Sequence, residues 1–248
     1  MITKKYKMAD KIIEVTSIYE KVHEYCKGYE YEGIPDFSVC ITQADIDFEA
    51  EKELKSAEIE KREPIRSTDD YREELAVYRK IAEKMPDYDT VLFHGSVIAV
   101  NGEGFLFTAK SGTGKSTHTR LWREYLGEKA VMVNDDKPFL RVEEDRIVVC
   151  GSPWNGKHGL GENIEVPLRA ICVLEQAKEN HIERIDFTDA IPVLMQQIYI
   201  PTQEAYTAEK ALELADRIYS GVDLFRLGAN MEPEAAKVAY EGMKGANL

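Results

Sequence analysis

The sequence contains little cysteine and no long apolar run. Only four of its 248 residues are cysteine, and no two of them have the close spacing of a zinc or redox motif. We therefore expect reduced thiols in or near the core. The longest apolar stretches have about five residues, whereas a membrane-spanning helix needs about 20.

Positive charge is also in deficit. The chain has 32 Lys and Arg against 45 Asp and Glu, which gives a net charge of -13. The overall field repels nucleic acids and anionic membranes, although a local basic pocket can still hold a phosphate. The basic N-terminus has neither the apolar run nor the cleavage site of a secretory signal. We expect a cytoplasmic protein with no nucleic acid and no membrane among its partners.

The remaining composition is that of a folded protein. Hydrophobic residues make up 44% of the chain and charged residues 31%, which excludes disorder of the whole chain. Residues 1–88 are highly charged and carry no motif with a chemical interpretation, so an N-terminal accessory region is expected there. Residues 89–248 alternate apolar strands with amphipathic helices, the pattern of an α/β domain.

Apolar periodicity predicts the positions of the elements. Strands are predicted at residues 6–15, 37–42, 91–93, 96–100, 104–108, 130–133, 146–150, 170–174 and 223–227. Helices are predicted at residues 17–27, 69–82, 116–126, 190–199 and 204–219, and after residue 232. The charged stretch 45–66 fits either an exposed helix or an irregular arm, and residues 101–104 predict a hairpin turn.

Residues 109–116 match a phosphate-binding loop except at its first position. The pattern G-x-x-x-x-G-K-[ST] is required between a strand and a helix. Gly114, Lys115 and Ser116 match it, and Ala109 stands in place of the first glycine. Because alanine disfavours positive φ, the first turn of this loop can differ in shape from the usual one.

The residue types in this loop suit a nucleoside triphosphate. The backbone N–H groups of residues 111–115 would converge at the positive end of a helix dipole, where a phosphate fits. Lys115 would bridge the β and γ oxygens, and the Ser116 hydroxyl would bind Mg²⁺. ATP and magnesium are the expected cofactors. The predicted nucleotide-binding residues are Ser111, Gly112, Thr113, Gly114, Lys115, Ser116 and Thr117.

A pair of aspartates follows the strand predicted at residues 130–133. Asp135 lies 20 residues after Lys115, which leaves room for one helix and a return strand. A right-handed crossover brings both strand ends to the same edge of the sheet. On an extended backbone, Asp135 and Asp136 point to opposite sides, so one would hold Mg²⁺ while the other faces the phosphoryl acceptor. An Asp-Asp pair at this place is also common in turns and helix caps.

This arrangement resembles the catalytic domain of the HPr kinase/phosphorylase family, which is related to the nucleotide-binding part of phosphoenolpyruvate carboxykinases. The resemblance is carried by His94-Gly95, the loop, the apolar strand and Asp135-Asp136. It is specific over residues 92–136 and looser over residues 151–174. It implies a mixed-sheet α/β core of the P-loop type and a homo-oligomer, and it makes residues 89–248 the catalytic domain.

The resemblance also implies roles for the polar residues. Asp135 would take the proton of the acceptor hydroxyl, and His94 would lie near it as a further catalytic residue that assists proton transfer. Ser116 and Asp136 would hold the metal. The glycine-rich stretch 151–162 fits a mobile cover over the reacting phosphate, with Lys157 and His158 stabilising charge in the transition state. It fits equally well a long strand connection in which Trp154 fills the core.

Together these features predict a magnesium-dependent kinase that transfers the γ-phosphoryl group of ATP to a serine-like hydroxyl on a small molecule or peptide. A nucleotide-binding regulator without transfer is the main alternative, because Ala109 changes the loop. The paired aspartates favour chemistry over sensing. A carboxykinase fits less well, because the chain is short for that two-lobed architecture and shows no distinct oxaloacetate site.

Overall fold

The computed structural model describes residues 1–110, 112–156, 159–201 and 204–245. The chain divides into two compact units, Met1–Lys84 and Met85–Leu248, and each unit contains a sheet of its own. The functional roles predicted for residues 1–88 and 89–248 stay predictions. Among the described residues, no helix combines the length and the apolar character needed to cross a membrane.

The first unit is built on a three-stranded sheet with the order β1-β2-β3. Its elements are β1 (Ile2–Met8), β2 (Lys11–Ser17), α1 (Lys21–Tyr25), β3 (Phe37–Cys40), α2 (Gln43–Ile59) and α3 (Asp69–Lys84). The strand predicted at residues 6–15 is in fact a hairpin, in which Ala9 and Asp10 turn the chain with φ values of 48° and 63°. The sequence did not mark this turn because it contains neither Gly nor Pro.

The charged stretch at residues 45–66 contains most of helix α2. This helix is not fully exposed, because Arg79 of α3 donates from Nε to Glu49 Oε1 at 2.6 Å and both side chains are buried. The guanidinium of Arg79 also lies 4.6 Å from the ring centre of Phe48. Some of the charged side chains in this region therefore form the contact between α2 and α3.

The second unit carries a larger mixed sheet with the order β4-β8-β9-β10-β6-β5-β7, in which β12 also pairs with β10 and β11 pairs with β12. Strand β10 runs parallel to β6 and β12, and the other pairs are antiparallel. This confirms the predicted mixed α/β class. The elements are β4 (Thr90–Leu92), β5 (Ser96–Val100), β6 (Glu103–Thr108), α4 (Lys115–Leu126), β7 (Ala130–Asn134), β8 (Phe139–Val142), β9 (Ile147–Cys150), β10 (Glu165–Gln176), β11 (His181–Arg184), α5 (Phe187–Leu194), α6 (Ala205–Gly221), β12 (Asp223–Ala229) and α7 (Glu234–Lys244).

Helices pack on both faces of this sheet. Along β5, Val97 and Ala99 belong to the core under α5 and α6, whereas Ile98 and Val100 belong to the core under α4 and α7. This alternation follows from the period of two in a strand. Strands buried on both faces read as continuous apolar runs, which is the pattern that marked them in the sequence.

The four cysteines are free thiols. Cys26, Cys150 and Cys172 are buried, as expected, and burial raises the pKa of the Cys26 thiol to about 12. Cys40 is exposed, contrary to the prediction. It follows buried Val39 in β3, and neighbouring residues of a strand face opposite sides.

Candidate active site

Three strand ends meet at one edge of the sheet in the second unit. Strand β5 pairs antiparallel with both β6 and β7, so the carboxyl ends of β6 and β7 lie at the same edge as the beginning of β5. The chain segments attached to these ends are the 109–116 loop, Asp135-Asp136 and His94-Gly95. The crossover from β6 through α4 to β7 passes over β5 and still brings the predicted motifs to a common edge.

The loop after β6 places its glycines where the backbone needs them. Gly112 and Gly114 have φ values of 80° and 120°, which glycine adopts without a steric penalty. Ala109 is buried at the end of β6 and is not among the described non-glycine residues with positive φ. The backbone at position 109 therefore does not need the left-handed conformation that favours glycine, and alanine is compatible with it. Ser111 lies outside the described residues.

Lys115 begins helix α4 and reaches back over the loop. Its Nζ donates to the backbone oxygen of Ala109 at 3.3 Å. Burial lowers the pKa of Lys115, and the negative charge of Asp136 partly opposes this effect. The ammonium group is thus held at the mouth of the loop and within the field of a carboxylate.

Asp136 is surrounded by groups that favour its charged form. His94 Nε2 lies 3.3 Å from Asp136 Oδ1. Burial opposes ionisation of Asp136, but the hydrogen bond from His94 and the positive charges of Lys137 and Lys115 outweigh it and hold the pKa of the carboxyl below its usual value. Asp136 is therefore an ionised carboxylate suited to a cation.

Asp135 has different partners. Its side chain is 8% exposed, and its Oδ1 accepts a hydrogen bond from the backbone N–H of Gly156 at 2.6 Å. A Cβ atom on Gly156 would lie 3.2 Å from Asp135 Oδ2, so glycine permits this close approach. Ser96 Oγ donates to the backbone oxygen of Asp135 at 2.8 Å. The structure thus separates the surroundings of the two carboxylates, as the alternation of side chains suggested.

The backbone around His94 connects these pieces. His94 donates from its N–H to Gln197 O at 2.7 Å and accepts at its own oxygen from Thr108 Oγ1 at 3.0 Å. The N–H of Gly95 donates to Asp136 O at 3.0 Å. The imidazole of His94 is therefore fixed against Asp136, the second carboxylate of the pair.

Asn134 is an organising residue that the sequence reasoning missed. This fully buried side chain accepts at Oδ1 from the N–H groups of Asp136 and Lys137, at 2.8 and 2.6 Å, and its Nδ2 donates to Ser152 O at 3.1 Å. It forms the turn that aims the pair of aspartates. An Asn at the end of a strand is a known turn former, so its position directly before Asp-Asp was the available signal.

Lys137 was also missed. Burial lowers the pKa of this lysine, and the charge of Asp136 opposes the shift. Its backbone oxygen accepts from Ser152 Oγ at 2.5 Å. Lys115 and Lys137 together place two cationic groups beside one carboxylate. Apart from its position one residue after the pair, the sequence carries no signal that singles out Lys137.

Two cavities border the beginning of α4. One, of about 400 Å³, is lined by the loop glycines, Thr113, Thr117 and His118 on one side and by the ends of β10 and β12 on the other. The second, of about 350 Å³, is lined by Ser116 and Asp135 among others. Most of the described residues predicted to bind the nucleotide thus line the first cavity, and Ser116 shares the second with the predicted base.

His118 is a buried residue in the wall of the first cavity. Its Nε2 accepts from Trp122 Nε1 at 3.0 Å, and its ring meets Phe107 edge-on at 4.9 Å. Burial lowers the pKa of His118 to about 4. Since the indole can only donate, the neutral imidazole carries its proton on Nδ1.

The glycine-rich connection after β9 is anchored at its tryptophan. Trp154 is buried and meets Phe139 edge-on at 6.2 Å, as in the interpretation in which it fills the core. The N–H of Gly156 carries this connection to Asp135. Lys157 and His158 lie outside the described residues, and the catalytic role predicted for Lys157 stays a prediction.

The predicted metal ligands do not form a complete cage. Within the described ranges, no group of three or more His, Cys, Asp or Glu side chains is arranged to hold a metal ion. Mg²⁺ is commonly bound through one or two carboxylates together with phosphate oxygens and water. Ser116 lines the cavity that contains Asp135, and Asp136 lies against His94, so the metal-binding role predicted for Ser116 and Asp136 stays a prediction.

The fold and this edge define a mixed α/β protein in which a glycine-containing loop, two lysines and two aspartates converge. No family model matches the chain, and no curated protein matches it. Among solved structures, it is similar to the Hpr(Ser) kinase/phosphatase from Coxiella burnetii, with 10% sequence identity and a TM-score of 0.35. That alignment covers 61% of this chain and 95% of the other.

Proposed function

We propose that the protein is a magnesium-dependent kinase that transfers the γ-phosphoryl group of ATP to a hydroxyl group. One observation carries this proposal: Lys115 and Ser116 at the start of α4 lie at the same sheet edge as Asp135 and Asp136. Phosphoryl transfer depends mainly on positioning and on charge neutralisation. A cationic loop facing two carboxylates with different surroundings supplies both.

The loop is the proposed site for the phosphates of ATP. Its backbone N–H groups lie at the N-terminus of α4, where the helix dipole favours negative charge. Lys115 would bind the β- and γ-phosphate oxygens, and Lys137 adds a second positive charge nearby. The adjoining cavity of about 400 Å³ is within the range of small-ligand sites and would take the rest of the nucleotide.

Ser116 and Asp136 are the proposed magnesium ligands. When bound, the ion would neutralise charge that develops on the transferring phosphoryl group. His94 and the two lysines keep Asp136 ionised, so that this carboxylate is ready to bind a cation. His94 is a positioning residue in this scheme because its imidazole touches Asp136.

Asp135 is the proposed base. It would accept the proton of the acceptor hydroxyl as the hydroxyl oxygen forms a bond to the γ-phosphorus and the bond to the bridging oxygen of ADP breaks. The Gly156 N–H and the Ser96 hydroxyl fix Asp135 at its side chain and backbone. Such pre-positioning of a base is what general base catalysis requires.

The test follows Mg-ATP by phosphorus NMR in the presence of the protein, a small-molecule extract and free serine. A new phosphomonoester signal is expected. Lys115→Ala should weaken nucleotide binding at least about tenfold because a charged hydrogen bond is lost. Asp135→Asn should slow transfer by about 10²- to 10⁴-fold and leave nucleotide binding nearly unchanged.

Matched controls are available in the same unit. Lys129→Ala and Asp145→Asn make the same chemical changes at exposed positions, and both should retain wild-type transfer and binding. Full activity of Asp135→Asn would overturn the assignment of the base. ATP binding with no transfer to any acceptor would instead favour a nucleotide-binding regulator.

A further inference from the structure

The cavity that contains Asp135 has a cationic wall that the proposed transfer reaction does not use. It has a volume of about 350 Å³ and lies between helix α4, strand β7 and the connection that follows β9. Met132 and Leu160 supply apolar surface to the cavity, and Asp135 also lines it. The volume is near the lower end of the range for small-molecule sites, so the cavity suits a small ligand.

One face of α4 lines this cavity. Ser116, Thr119, Arg120 and Arg123 all contribute to it, and their spacing of three and four residues places them on a single helix face. Seven residues of helix span about 10 Å, and helical side chains lean toward the N-terminus. Ser116 therefore lies at one end of this row and Arg123 at the other, and Asp135 lines the same cavity.

The two arginines differ in their partners. Arg120 is exposed and donates from Nη1 to Glu124 Oε1 at 2.6 Å. Arg123 has a buried Nε without a hydrogen-bond partner, and within the described ranges no carboxylate forms an ion pair with its guanidinium. A guanidinium has five N–H donors, and leaving a buried donor unsatisfied is costly. Arg123 thus has one buried N–H donor, at Nε, that lacks an acceptor oxygen among the described residues.

We propose that this cavity holds the phosphoryl acceptor and that the acceptor is a small hydroxyl compound with an anionic group, either a carboxylate or a phosphate. Arg123 binds the anionic group, and the hydroxyl lies at Asp135. The proton of the hydroxyl passes to Asp135, its oxygen bonds to the γ-phosphorus, and ADP leaves with the bridging oxygen. This inference rests on the proposed kinase function and adds the chemical class of its substrate.

Charge supports the assignment. A chain with a net charge of -13 repels anions in general, so an arginine with an unsatisfied Nε donor in a cavity is a local exception to that field. Planar guanidinium groups bind carboxylates and phosphates through two parallel hydrogen bonds. Arg123 would therefore fix the orientation of the acceptor as well as its affinity.

The experiment compares hydroxyl compounds that differ in their anionic group. L-Serine is paired with L-serinamide, and glycerol 3-phosphate with glycerol, each with Mg-ATP and the full chain. Transfer and binding are measured separately, by phosphorus NMR and by saturation-transfer NMR without nucleotide. Arg123→Gln is compared with Arg217→Gln, which alters an exposed arginine on helix α6.

The expected result is transfer to the compound that carries the anionic group and little or none to the partner that lacks this group. The serine and glycerol phosphate arms show whether the group is a carboxylate or a phosphate. Arg123→Gln should raise KM for the anionic acceptor at least about tenfold with a smaller change in kcat. Arg217→Gln should match the wild type, and Arg123→Lys should give an intermediate KM because it keeps the charge but not the planar fork.

Equal transfer to compounds with and without the anionic group, or an unchanged KM in Arg123→Gln, would overturn this inference. Neither result would contradict the proposed kinase function. Failure of both anionic compounds to bind or react, while ATP is bound, would also overturn it. Binding of an anionic compound that depends on Arg123, without any transfer, would retain the anion site and overturn the kinase function instead.

Discussion

Adjacent residues at the end of β7 have acquired separate chemical surroundings. Asp136 faces His94, Lys115 and Lys137, and its carboxylate is stabilised by their charge. Asp135 is buried against a backbone N–H. Asn134, one residue earlier, makes the turn that separates them. At this scale, the proposed division between a metal ligand and a base rests on which neighbours each carboxylate meets.

At the residue scale, the buried His118 makes the stability of the protein depend on pH. The pKa of His118 is lowered from 6.5 to about 4 in the folded protein. The unfolded chain therefore binds this proton first as the pH falls, and stability is lost from about pH 6.5 down through about pH 4. Above pH 6.5 this residue contributes no pH dependence. The loss should approach about 3 kcal/mol at the lower end of the range.

The measurement compares the pH dependence of the free energy of unfolding in the wild type and in His118→Gln, by urea denaturation. Glutamine offers an amide oxygen that can still accept from Trp122, and it does not titrate. The variant should lack the component between pH 6.5 and 4 that the wild type shows. The same slope in both proteins would contradict a buried neutral imidazole at this position.

At the scale of elements, the sequence predicted those that are strongly apolar and missed those defined by long-range pairing. Strands β5, β6 and β7 appear close to their predicted positions, because they are buried on both faces. The helix predicted at residues 190–199 is instead α5 (Phe187–Leu194). Beyond it, Gln197 and Tyr199 form backbone hydrogen bonds to His94 and Leu92, and these tertiary contacts replace the last turn of helix.

The candidate site shows the same division. The position of the loop between a strand and a helix was predictable from its glycines and lysine, and the aspartate pair was predictable at the end of the following strand; their functional roles stay predictions. Lys137 and Arg123 were not predictable, because an isolated lysine or arginine in a sequence is usually a solvated surface residue. Their significance comes from burial and from the cavity walls, which only the fold defines.

The close contact between Gly95, just before β5, and strand β6 leads to a testable prediction at the scale of elements. A Cβ atom on Gly95 would lie 3.0 Å from Leu106 Cδ2 and 3.0 Å from the backbone oxygen of Phe107. The leucine can move but the strand backbone cannot move freely, so Gly95→Ala should lower the free energy of unfolding by about 1–3 kcal/mol. It should also slow phosphoryl transfer, because Gly95 directly follows His94 and its N–H donates to the backbone oxygen of Asp136.

The change is measured by urea unfolding and by transfer assays on the same preparation. Gly245→Ala is the control, because a Cβ atom there would meet nothing within 4 Å and its φ is -92°. That substitution should change stability by less than about 0.5 kcal/mol. Equal stability of the two variants would show that β5 and β6 do not require the close approach at Gly95.

At the scale of the whole molecule, the chain consists of two compact units. All the described site residues lie in Met85–Leu248, and the two core clusters on the faces of the larger sheet draw their residues from this unit alone. A unit of this size with its own core has what independent folding requires.

The second unit is therefore expected to fold and to bind Mg-ATP without the first. A chain of residues 85–248 should show a cooperative unfolding transition and the same dissociation constant for the nucleotide as the full chain. The measurement is fluorescence titration with a labelled nucleotide analogue, beside circular dichroism. Loss of the fold in the shortened chain would show that residues 1–84 contribute to its stability.

The positions of the tryptophans and of the exposed cysteine allow the two units to be followed separately by fluorescence. The chain has two tryptophans, Trp122 and Trp154, and both are buried in the second unit. The exposed thiol of Cys40 belongs to the first unit, whereas the other three thiols are buried. Indole emission therefore reports on the second unit, and a maleimide dye on Cys40 reports on the first, so a single sample yields two independent optical records.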